Sequence, residues 1–104
     1  MSDRFRLSGR AATDLLDLND FVADVTGSET AAAAVVNAFY DRLDRVVASG
    51  GGDEYAPDPR YEGTEVRQAL FSTKSGRTHR FLYEVVGGEV VVLYVRSASQ
   101  DLLY

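Results

Sequence analysis

The stretch from Arg77 to Arg96, RTHRFLYEVVGGEVVVLYVR, constrains this chain more than any other. Two runs of β-branched and aromatic residues flank Gly87-Gly88, and a Gly-Gly pair suits a tight turn because both central residues can take positive φ. The spacing predicts a β-hairpin. With the two glycines as the loop, Val85 faces Val90, Tyr83 faces Val92, Phe81 faces Tyr94 and His79 faces Arg96. Alternation then gathers Phe81, Tyr83, Val85, Val90, Val92 and Tyr94 on one face, which something must cover. The opposite face carries Arg80, Leu82, Glu84, Val91, Leu93 and Val95, and its middle is more apolar than an ordinary solvated face.

The cover is found upstream. Phe5 and Leu7 alternate with Arg4, Arg6 and Ser8 as in a short first strand. From about Gly9 the period lengthens, and Leu15, Leu18, Val22 and Val25 recur at helical spacing with Phe21 flanking, until Thr26-Gly27 ends the run. Ser28 suits an N-cap, with Glu29 in the first turn of a second helix reaching about Ala48. That helix buries Ala32, Val35 or Val36, Phe39, Leu43 and Val46 or Val47. A link this short folds the two helices into an antiparallel hairpin.

Residues 49–63, SGGGDEYAPDPRYEG, form the one long loop, expected to wrap the surface or to be mobile. Residues 65–72 read as a strand with Arg67, Ala69 and Phe71 on one side and Val66, Gln68 and Leu70 on the other. Lys74-Ser75-Gly76 turns the chain into the hairpin, and SASQDLLY closes it as a tail. The order strand, helix, helix, strand, strand, strand predicts an α+β two-layer sandwich in which the last three strands form an antiparallel meander under the helix pair. At 104 residues the chain is long enough for one domain, expected over 1–104, and too short for two.

Composition narrows the function classes. The absence of cysteine excludes disulfides and thiolate metal sites. A formal net charge of −5 argues against direct nucleic-acid binding, which draws most of its affinity from a basic surface. No apolar run approaches the roughly 20 residues needed to span a bilayer, and the N-terminus lacks the apolar segment of a signal peptide, so a cytoplasmic protein without membrane contact is expected. Asp14, Asp17, Asp20 and Asp24 lack the alternating ligands and glycine of a calcium loop and read as a solvated helix face, leaving no metal or cofactor expected. His79, the only histidine, reads as a packing or rim residue.

Taken together, L-S-G-R-A-A-T-D-L at Leu7 to Leu15, the Pro-bearing loop before Val66-Arg67, R-F-L-Y-E-V at Arg80 to Val85, and V-V-V-L-Y-V-R followed by Gln100-Asp101-Leu102 resemble the RelE/ParE toxins of bacterial type II toxin-antitoxin modules, also called plasmid stabilisation proteins. The resemblance implies a growth-inhibiting toxin neutralised by a cognate antitoxin. Its ParE-like branch is associated with poisoning DNA gyrase, and its RelE-like branch with cleaving mRNA on the ribosome. For the nuclease, the resemblance implies Arg67 and Arg80 as catalytic residues, expected on a shared face of the sheet. The branch's further basic positions fall at Ala69 and Gln100, and its histidine after the last strand at Ser97. These departures favour the ParE-like branch, and leave open a relative that retains antitoxin binding alone. The half-apolar second face, with Arg80, Leu82, Val91, Leu93 and Val95, is the expected partner-binding surface.

Overall fold

The structure, a computed structural model, describes residues 4–74 and 76–104; Ser75 of the expected turn and Met1 to Asp3 lie outside them. A first strand β1 (Phe5–Leu7) leads into helix α1 (Gly9–Thr26) and helix α2 (Glu29–Ser49). A short 3-10 helix (Pro59–Tyr61) interrupts the long loop, and β2 (Arg67–Phe71), β3 (His79–Val86) and β4 (Glu89–Ser97) follow. The strands form one sheet in the order β1-β4-β3-β2. β2, β3 and β4 are the expected antiparallel meander, and β1 adds to its far edge parallel to β4, with Phe5 beside Val90 and Leu7 beside Val92.

Local chemistry sets the boundaries. The hydroxyls of Ser8 and Ser28 each accept the N–H three residues on, at 3.0 and 3.1 Å, and so cap the two helices. Gly27 and Gly50 end them in the left-handed conformation. At the hairpin both Gly87 and Gly88 have positive φ, as a type I′ turn requires.

One layer of the core lies between the helices and the sheet. Ala11, Leu15, Val35, Phe39, Leu43 and Val46 pack on Ala69, Phe71, Phe81, Tyr83, Val90, Val92 and Val95. Phe39 sits at its centre, fully buried, with its ring edge-on to Phe81 at 5.1 Å and to Phe71 at 5.7 Å. Val25 departs from the expected face: it is 68% exposed, and its neighbour Phe21 is 56% exposed.

The hairpin register holds from the turn to Tyr83–Val92 and then shifts by one residue, because Leu93 bulges and Leu82 pairs with Tyr94. The bulge sits where β1 ends, and there Ser8 takes over the edge of β4, its N–H donating to Val92 O and its hydroxyl to Leu93 O. The shift moves every later side chain of β4 to the other face. Val95 therefore joins the helix-side core, correcting its expected place on the second face, while Tyr94 and Arg96 turn away from the helices. Past the bulge the β4 edge stays closed, since an Asp14 carboxylate oxygen accepts the Val95 N–H at 3.0 Å.

Candidate functional site: the covered second face of the sheet

Arg80, Leu82 and Gln68 lie on the face turned away from the helices, and the long loop and the tail cover it. Residues 54–56 first run along the outer edge of β2, where Ala56 N donates to Val66 O and Gln68 N to Glu54 O. The chain then crosses over the sheet. Ala56, Val66 and Leu82 form a second small core with Tyr61, Leu93, Tyr94 and Leu103 packed against it.

Asp58 is the centre of this cover. It precedes Pro59, which disfavours helical backbone at Asp58 and starts the 3-10 helix at the next residue. Its side chain does not cap that helix and turns into the sheet instead. The carboxylate accepts from both terminal nitrogens of Arg80, at 2.7 and 2.8 Å, and from the Leu103 N–H at 2.7 Å. Asp58 is 0% exposed and Arg80 3%. The hydrogen bonds from Arg80 hold the Asp58 carboxyl below its ordinary range, overcoming the burial that pushes it up. Gln68 Oε1 accepts a further bond from Arg80 at 3.2 Å. Arg60 fastens the tail beside it, with its backbone N–H on Leu103 O, its Nε on Tyr104 O and its Nη1 on the Tyr94 hydroxyl.

Arg67 belongs to the opposite face. It pairs with Tyr83, whereas Arg80 pairs with Leu70, and facing residues of an antiparallel pair share a side. The expectation of a shared face for the two arginines is therefore corrected: they stand on even and odd positions relative to the same register. The Arg67 guanidinium stacks on the Tyr55 ring, 4.2 Å from its centroid, and donates to Asp53 O. Asp53 also pairs with Arg42 and accepts the Tyr83 hydroxyl at 2.6 Å. Burial, aided by the neighbouring Asp53 carboxylate, raises the Tyr83 pKa well above its ordinary value.

Each arginine is thus held by an aspartate group from the long loop, and neither aspartate was legible as a partner. The loop was expected to wrap the surface or to be mobile, yet two of its acids order it against opposite faces of the sheet. Among the other expected surface residues, Leu82 and Val91 are buried and Leu93 is half-buried. His79 does pack: it stacks on Phe71 at 5.4 Å, with its Nδ1 buried and unpartnered among the described residues. Burial first, and the nearby Arg77 charge second, lower its pKa. Among the described residues no group of three or more His, Asp or Glu is placed to hold a metal ion, and no helix is long and apolar enough to cross a membrane.

As it stands, the second face offers a neutralised and desolvated cation. The Asp58 carboxylate offsets the Arg80 charge and takes one donor from each of its terminal nitrogens. The fold itself has a counterpart. A chain of the solved "Chromosomal ParDE TA system from P. aeruginosa" superposes with a TM-score of 0.68 over 91% of this chain and 95% of that one, at 18% sequence identity. No protein-family profile matches the sequence, and no curated protein matches it. The architecture is α+β, of the kind that this toxin-antitoxin component also adopts.

Proposed function

We propose that the chain, over 1–104, is the toxin of a type II toxin-antitoxin module in the RelE/ParE superfamily, on its ParE-like side, acting in the cytoplasm through protein binding. The observation that carries this reading is the near full-length fold likeness to a chain of a ParDE system, joined to the ordered motifs from Leu7 to Leu102. Its direct partner is a cognate antitoxin and its growth target is DNA gyrase. The burial of Arg80 against Asp58, and the separation of Arg80 from Arg67, favour this branch over ribosome-dependent mRNA cleavage. Of the expected partner-binding residues, Leu93 is half-buried and keeps surface open to the antitoxin, whereas Arg80 and Leu82 lie under the loop and tail.

The test is induction of the chain with and without the neighbouring small reading frame. Growth arrest relieved by co-expression, with inhibited gyrase supercoiling by the purified chain, is the expected result. Transcript cleavage abolished by Arg80→Ala would assign the chain to the nuclease branch. No arrest, with the neighbour still bound, would leave a relative that retains antitoxin binding alone.

A further inference from the structure

The outer flank of α1 is apolar and exposed, and toward Gly27 the charged residues around it are all acidic. Phe21 is 56% exposed and Val25 68%, and both border Leu18 and Val22, which are partly buried against the core. Two surface clefts, of about 450 and 520 Å³, meet at Phe21. Seen down the helix, Asp17 and Asp24 lie beside Phe21, with Asp20 beyond them. From Ala11 to Tyr40 the chain carries five acidic residues, Asp14, Asp17, Asp20, Asp24 and Glu29, and no lysine, arginine or histidine.

Asp14 is already occupied by Arg10 and the Val95 N–H, but none of the other four is in an ion pair among the described residues. The arrangement works against the helix that carries it. Asp17, Asp20 and Asp24 repel one another at spacings of three and four. The last turn of α1 carries no basic residue, so Asp24 faces the negative end of the helix dipole uncompensated.

We propose that this flank docks a cationic amphipathic helix of another protein, with apolar anchors on Phe21 and Val25 and lysines or arginines over Asp17, Asp20, Asp24 and Glu29. The charge selects the occupant. A second copy related by two-fold symmetry brings the same acids face to face, and anionic membranes and nucleic acids are repelled. The stretch from Asp14 to Gly27 is about 20 Å long, the length of three to four helical turns. Arg10, Arg77 and Arg96 line the sheet-side end of the 450 Å³ cleft, so the basic residues of the docked helix lie toward Gly27.

The probe is a fluorescent helical peptide with leucines on one face and lysines flanking them, set against a twin with glutamates for lysines. Anisotropy with the full chain is expected to show saturable binding of the lysine peptide, weakened by salt, and none of the glutamate twin. Phe21→Ala with Val25→Ala is expected to weaken binding about tenfold or more, and Asp20→Asn with Asp24→Asn, which removes two of the four acids, to cut the salt dependence by about half. Both pairs are exposed, and unchanged circular dichroism shows that the fold is kept. Equal binding by the alanine pair, equal binding of the glutamate twin, or no binding of the lysine peptide would overturn the proposal. So would a chain dimer that dissociates on the alanine substitutions, which would assign the flank to self-association.

Discussion

Replacing Asp58 by alanine is expected to remove about 3–5 kcal/mol of folding stability. The substitution leaves the Arg80 guanidinium, 3% exposed, without its counter-charge and leaves the Leu103 N–H without its acceptor. A loss of that size is a large part of the roughly 5–15 kcal/mol that holds a domain together. Arg80→Met is expected to destabilise as strongly, by stranding the Asp58 carboxylate. The informative variant is the double one. With Asp58→Leu and Arg80→Met together no buried charge remains, and the residual cost is the orphaned Leu103 N–H, about 1–3 kcal/mol. The double variant is therefore expected to be more stable than either single one. Equilibrium urea denaturation at pH 7 measures all four proteins. Acid supplies an independent readout. The Asp58 carboxyl pKa is depressed in the folded state, so its stabilisation is complete above the unfolded carboxyl pKa of about 4 and is lost as pH falls through the folded value. The double variant lacks that part of the acid transition. Single losses below about 1 kcal/mol, the value of an exposed pair, or a double loss equal to the sum of the singles, would refute the account of a desolvated, mutually dependent pair.

Three further outcomes follow from the packing. Gly51 has φ +87°, and a Cβ there would meet Val85 Cγ2 at 2.7 Å, so Gly51→Ala should cost about 1–3 kcal/mol, while Gly52→Ala, with open space around it, should not; thermal denaturation compares the two. Asp14→Ala removes the acceptor of the Val95 N–H and should cost about 1–3 kcal/mol with faster exchange of that amide, whereas Asp14→Asn keeps an acceptor and should retain more of its protection. His79 is buried beside Arg77 and its pKa is lowered, so the unfolded chain binds more protons below pH 6.5 and stability falls as pH drops from 6.5 toward the folded value. His79→Phe should flatten the change in urea midpoint between pH 7 and pH 5.

The hairpin, the cap of the second helix and the order of elements were legible because each rests on neighbours in sequence. Gly87-Gly88 supplies its own turn, and Ser28 bonds three residues ahead, as Ser8, read only as the end of a strand, also does. What was not legible depends on distant parts. Nothing in Leu93 marks a bulge: the partner that takes its carbonyl is Ser8, at the other end of the chain. One inserted residue was enough to reverse the faces of Tyr94, Val95 and Arg96. Helical spacing placed Val25 with Leu18 and Val22 correctly as a stripe, but periodicity does not say whether a neighbour reaches the end of the stripe. In the candidate site, Arg80 stood out through its motif, whereas Asp58 lay in a loop whose glycines, prolines and acids suggested solvent. Its partners are 22 and 45 residues away, and only the folded chain brings them to it.

The parallel pairing of β1 with β4 bears on the order in which the molecule can form. Phe5, Arg6 and Leu7 find their partners in Val90, Val91 and Val92, and the meander reaches that position last during synthesis. The helix pair and the hairpin can form from local contacts while the first strand waits. Closing that strand requires bridging almost the whole chain, a slow step by the cost of non-local contacts. A nascent chain stopped short of β4 therefore holds helices without the sheet edge that anchors them, and the complete fold appears only once the C-terminal strand has been made.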